Sequence, residues 1–177
     1  MSSYTPVSNT QKFEATRLTL GSPKPYDGVL TSLYSSIGSP DTVGEWPKML
    51  KEISKSVDAR EEFTNAVNSL IGPHGFMIFQ EFNHGAWIPL FGTGEGLKSK
   101  RIILGNPLIA ITMLKHDINA GLFVPVEIFV LEKSEGTEII YDLPSGLITG
   151  LNKDPELVKA AEILDAKLAG LLKHALS

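Results

Sequence analysis

Apolar residues recur along this chain with two different periods. Tyr26, Val29, Leu30, Leu33, Tyr34 and Ile37 fall at i, i+3, i+4, i+7, i+8 and i+11, which predicts an amphipathic helix ended by Gly38. Phe63, Ala66, Val67 and Leu70 predict a second helix over 58–71, with Asp58 or Ser56 as cap, Glu61 and Glu62 in its first turn, and Gly72-Pro73-His74-Gly75 as its stop. Leu157, Ala160, Ala161, Leu164, Leu168, Leu171, Leu172 and Ala175 predict a long C-terminal helix, capped by Asp154 with Pro155 in its first turn. A further helix is predicted over 107–118, opened by Pro107. Strand patterns occupy 13–20, 76–82, 101–104, 124–132 and 137–143, and Lys133-Ser134-Glu135-Gly136 joins the last two as a hairpin. Between 39 and 55 the pattern lapses around Pro40, Gly44 and Pro47, which predicts a loop with at most a short helix over 47–54. The first dozen residues are polar and read as an arm, followed by one domain over 13–177.

Composition narrows the class. The chain has 177 residues, 42% hydrophobic and 20% charged, which is enough for a real core. Formal charge is −4 with scattered Lys and Arg, so no basic stripe predicts nucleic-acid binding. With no cysteine, a disulfide framework, a thiolate nucleophile and a Cys-ligated metal are excluded. No secretory leader and no apolar run of about 20 residues is visible, so a cytoplasmic protein without a membrane span is expected.

The runs Gly75-Phe76…Phe79…Phe82-Asn83-His84-Gly85-Ala86, Leu104-Gly105-Asn106-Pro107, Val124-Pro125-Val126…Phe129-Val130-Leu131-Glu132 and Tyr141-Asp142-Leu143-Pro144 resemble the DUF302 family. The resemblance runs from about Phe13 to the C-terminus and is densest from Gly75 to Pro144. It implies an α+β fold: a curved antiparallel sheet with helices on one face and a long C-terminal helix, similar to the TATA-binding-protein arrangement. Asn83 stands where the family pattern has Asp, Glu127 where it has an apolar or basic residue, and 39–56 reads as an insertion. The family name records unknown function, so the resemblance implies a fold and a pocket more than an activity.

His84 is the leading chemical candidate, because imidazole titrates near neutral pH. The plainer alternative is that it orders a strand exit. Glu81, Glu127 and Tyr141 are further acid–base candidates, Glu81 being expected to share a face with Met77 and Phe79. Phe79, Phe82, Asn83, Trp87, Phe91, Asn106 and Phe129 are candidate substrate contacts. Gly105-Asn106-Pro107 reads mainly as a strand-to-helix turn, with Asn106 as cap, and Gly92–Gly96 lacks the Gly-Lys-Ser/Thr of a phosphate loop. The four histidines have no ligand spacing, so no metal and no cofactor is expected. These residues predict a pocket for an apolar metabolite between the sheet and the C-terminal helix. The expected activity is cofactor-independent proton transfer, as in a cyclase, isomerase, dehydratase or related lyase, with His84 as acid or base. A non-catalytic small-molecule carrier and a structural module without a ligand stand as alternatives. The sheet edge or face that such a fold leaves uncovered gives the expectation of a homodimer.

Overall fold

The computed structural model describes residues 9–38, 44–53, 55 and 57–177. Strands β1 (Arg17–Ser22), β2 (Met77–Asn83), β3 (Ser99–Gly105), β4 (Val126–Lys133) and β5 (Gly136–Asp142) form one antiparallel sheet in the order β1-β5-β4-β3-β2. The helices are α1 (Tyr26–Ile37), α2 (Glu45–Ile53), α3 (Ala59–Leu70), α4 (Pro107–Leu114), α5 (Pro144–Ile148) and α6 (Pro155–Leu176).

Strand alternation decides which face is covered. Ile102 and Leu104 of β3, Val126, Ile128 and Val130 of β4, and Ile139 and Tyr141 of β5 are buried, and they share the core with Val29, Leu33 and Ile37 of α1 and with the apolar stripe of α6. Their alternates Arg101, Ile103, Glu127, Phe129, Leu131, Ile140 and Asp142 face the other way and are only partly covered or exposed. The fold is therefore an α+β layer pair with one helical face and one open face. Burying each leucine of the α6 stripe contributes about 1.5–3 kcal/mol, which is why so long a helix stays docked. Asp154 caps α6 as its sequence signals, accepting the Glu156 and Leu157 N–H groups at 3.0 Å each.

Several boundaries move. The first strand is Arg17–Ser22 because it takes its register from β5, Arg17 opposite Asp142 and Gly21 opposite Glu138. Phe13 lies outside the strand and packs edge-on against Phe123, ring centroids 6.2 Å apart. The helix expected to reach 118 ends at Leu114, since the Asp117 carboxylate caps a new 3-10 turn, Ile118–Leu122, through the Asn119 N–H. Where a short helix is expected over 47–54, a helix runs from Glu45 to Ile53, and Ser54 lies outside the described residues. Residues 39–43 of the expected insertion and Ser56, one of the two proposed caps of α3, lie outside the described residues.

Asp165 of α6 ties down α5 by accepting the Ser145 N–H at 2.9 Å. Burial raises its carboxyl above the usual Asp range, against the lowering effect of the Ser145 hydrogen bond. A raised folded value means that ionisation disfavours the native state. The stability this group contributes is full below the unfolded pKa and falls as pH rises through the folded one. Asp165→Asn keeps an oxygen for Ser145 and removes the buried charge. It is expected to raise the urea midpoint at pH 7 and leave it unchanged at pH 3, measured by circular dichroism.

Candidate functional site

A one-residue slip in β2 organises the site. Ile78 pairs with Leu104 but Gln80 pairs with Ile103, so Phe79 is a bulge with no partner in β3. The slip inverts the facing of everything after it. Glu81, opposite buried Ile102, turns to the helical face, and Phe82, opposite Arg101, turns to the open one. The expected common face of Glu81, Met77 and Phe79 is thus broken by the bulge. Phe79 is left to lie edge-on against Trp46 of α2, ring centroids 5.4 Å apart, and Trp46 also meets Phe63 of α3 at 5.7 Å.

Beside this aromatic stack lies a partly open cavity of about 270 Å³. Its walls are Trp46 and Phe79, the Gly105–Pro107 turn, Ile109, Ala110, Met113 and Leu114 of α4, Val124–Val126, and Leu164 of α6. Among the described residues its polar side-chain groups are the Trp46 indole N–H and Asn106, and Asn106 is already engaged. Its Oδ1 accepts the Leu108 N–H at 2.8 Å and its Nδ2 donates to the Gly75 carbonyl at 2.9 Å. Asn106 therefore caps α4, as its place before Pro107 suggests, and holds the loop that precedes β2. A Cβ on Gly105 would lie 3.1 Å from Pro125 Cβ and 3.4 Å from Phe79 Cε2, so this strand end is already closely packed against its neighbours.

Of the candidates named from sequence, Phe79 and Asn106 line this cavity. His84 does not. Its ring sits on the open face, 6.1 Å from Phe129, 6.5 Å from Phe82 and 5.8 Å from Trp87, with Phe91 a further 6.2 Å from Trp87. The expected single pocket therefore divides, because alternation along β4 puts Phe129, and the bulge in β2 puts Phe82, on the side away from α6. Gly85 fixes the turn that carries His84: a Cβ there would stand 2.6 Å from the Ser99 nitrogen. Asn83 closes the same turn by accepting the Ala86 N–H at 3.2 Å.

The remaining acid–base candidates are dispersed. Glu127 pairs with Arg101 on the open face, its Oε2 accepting from Arg101 Nε at 2.7 Å and from Nη2. Glu81 accepts from Tyr34 Oη at 2.6 Å and sits 3.5 Å from Lys100 Nζ, which also donates to Tyr34 Oη at 2.8 Å. This half-buried network bolts α1 onto the β2–β3 edge. Burial, then the hydrogen bond to Glu81, holds the Tyr34 phenol well above its usual range. Tyr141 is buried on the helical face, and burial likewise raises its phenol. Both stay protonated at neutral pH. Among the described residues no three of His, Asp or Glu converge as metal ligands, and no helix is long and apolar enough to cross a membrane.

The cavity walls that sequence reasoning missed are mostly in α4 and α2. A signal was present: Pro107–Leu114 reads PLIAITML, apolar on every side, and such a helix must face a core on one side and something else apolar on the other.

The fold has a counterpart among solved structures. The crystal structure of an uncharacterized conserved protein DUF302 from Bacillus stearothermophilus superposes with a TM-score of 0.60 at 17% sequence identity, covering 90% of this chain and 97% of that one. No match is found among functionally curated proteins. The family model described as "Domain of unknown function DUF302" matches residues 51–175, which takes in α3, all the strands but β1, the α4 cavity wall and nearly all of α6. By that match the chain belongs to the DUF302 family.

Proposed function

We propose that the protein binds an uncharged, apolar small organic molecule in the cavity between the sheet end, α4 and α6, under Trp46. The observation that carries this is the cavity's chemistry: about 270 Å³ walled almost wholly by apolar side chains, with Asn106 already hydrogen-bonded and the Trp46 indole N–H the other polar side-chain group among the described residues. Such a space disfavours charged ligands, since no charged side chain among the described residues lining it compensates their desolvation. It suits a compact hydrocarbon-rich ligand, as apolar cavities generally do.

Among the described residues no titratable side chain lines the cavity, so the reading is of a carrier or sensor and not of a cyclase, isomerase, dehydratase or lyase working there. Proton transfer by His84 would need a substrate on the opposite face of the sheet.

The test uses N-phenyl-1-naphthylamine, an uncharged probe that brightens in apolar surroundings. Wild type is expected to bind it saturably. Ala110→Phe, which fills the cavity from α4, is expected to weaken binding by at least about tenfold, a loss of about 1.4 kcal/mol. His84→Ala is expected to leave it unchanged. Equal binding by wild type and Ala110→Phe, or loss in His84→Ala alone, would move the site elsewhere.

A further inference from the structure

The open face of the sheet has a construction that the cavity does not explain. A row crosses it from strand to strand in register: Thr19, Ile140, Phe129, Arg101, Phe82. Three of these five are large and apolar, and the Arg101 guanidinium lies 5.8 Å from the Phe82 ring centroid. The charges flanking the row cancel. Arg17 pairs with Asp142 at 2.8 Å, Arg101 with Glu127, and Lys133 with Glu138 at 3.6 Å. In a chain of −4 overall, these three pairs on the face sum to no net charge. Aromatic and Arg side chains inside a rim of balanced charge make the anatomy of a protein–protein interface.

The two ends of this face are shaped differently. At the end where β2 leaves the sheet, the ring series Phe129, His84, Trp87, Phe91 leads off the face into the 3-10 turn Ile88–Phe91. There Leu90 is 81% exposed and Phe91 77%. At the opposite strand ends, where β4 begins and β5 finishes, lies a groove of about 420 Å³. Its floor is apolar (Leu122, Phe123, Pro125, Leu147) and its wall carries the Arg101–Glu127 pair and Asp142. Leu122 is 82% exposed. One face thus carries an apolar knob at one end and an apolar hole at the other.

We infer that this face is a two-fold interface between two copies of the chain, the Leu90–Phe91 turn of each copy seated in the Leu122–Pro125 groove of the other. A two-fold axis lying in the interface and running across the strands exchanges the two ends of the sheet. Knob then meets hole twice, and the balanced charge row meets its own complement. A second copy is the occupant that this pairing of knob and hole selects. A nucleic acid would require a net basic face, and a basic or acidic peptide a face of opposite net sign.

Sedimentation velocity on the full chain over a wide concentration range tests this. Wild type is expected to be a dimer. Phe91→Asp and Leu122→Asp, both at exposed positions the fold does not need, are each expected to weaken dimerisation by at least about tenfold. Ile163→Asp, on the outer surface of α6, is expected to have no effect. Mixing the Phe91→Asp and Leu122→Asp proteins is expected to restore part of the dimer, since one knob and one hole in the mixed pair remain intact. A monomer at all concentrations, a dimer indifferent to Phe91→Asp and Leu122→Asp, a dimer broken by Ile163→Asp, or a mixture no better than its components would each overturn the inference.

Discussion

Gly136→Ala is expected to lower the melting temperature by about 10 °C, while Gly21→Ala in the neighbouring strand leaves it unchanged or raises it slightly. Gly136 closes the β4–β5 hairpin at φ +131°, a conformation that side chains rarely adopt. A Cβ there would lie 2.0 Å from the Ser22 carbonyl oxygen and 2.8 Å from Pro23 Cα, both backbone atoms that cannot swing aside. Backbone strain of about 1–3 kcal/mol adds to an overpacking cost of about 1–3 kcal/mol. In a domain of this size each kcal/mol moves the melt by about 2–4 °C. Gly21 is the matched control: it pairs with Glu138 two residues away, has no atom within 4 Å of a Cβ and has an ordinary strand backbone. There alanine only reduces unfolded-chain entropy, worth about 0.4–1 kcal/mol in favour of folding. Thermal circular dichroism on both variants checks the pair. Similar melts for the two would show that the hairpin is not wedged against the β1–α1 connection.

That wedge also shows where a linear sequence stops being readable. Lys133-Ser134-Glu135-Gly136 announces a hairpin by its residue types. Nothing local announces that Ser22 and Pro23 will press on it from more than a hundred positions away. The same division holds elsewhere. The stripes of α1 and α6 and the Asp154 and Asn106 caps are set by neighbours two to four residues off, and all could be read. The side of β2 on which Glu81 and Phe82 fall depends on a bulge at Phe79 that only pairing with β3 creates. One unpaired residue moved Glu81 from the supposed site to a structural network with Tyr34 and Lys100, and put His84 on a face that α6 never sees. The weakly patterned stretch ahead of α3 hid Trp46, whose position over the cavity follows from its contacts with Phe63 and Phe79 rather than from any periodicity. The residues with chemical side chains drew attention first. The cavity is built mostly from ordinary apolar ones, and an α4 apolar at every position but Thr112 was its most legible trace.

Leu168→Ala and Leu164→Ala, one helical turn apart on α6, are expected to have opposite balances of stability and binding. Leu168 is fully buried, and its loss leaves a void that the packed helices cannot collapse. Such truncations cost about 2–5 kcal/mol, a large share of the roughly 5–15 kcal/mol that holds a domain folded. The melting temperature should fall by about 10 °C, with affinity for N-phenyl-1-naphthylamine little changed at temperatures where the chain stays folded. Leu164 is almost as buried, but its side chain forms part of the cavity wall. Removing it widens a space that already exists, so the cost should lie near the lower end of that range. The enlarged cavity should then admit bulkier apolar probes that wild type rejects. If Leu164→Ala destabilised as much as Leu168→Ala and took no larger probe, the space under Trp46 would be a packing defect rather than a binding site. If the two separate as described, the helix that completes the core also sets the size of what the protein can hold.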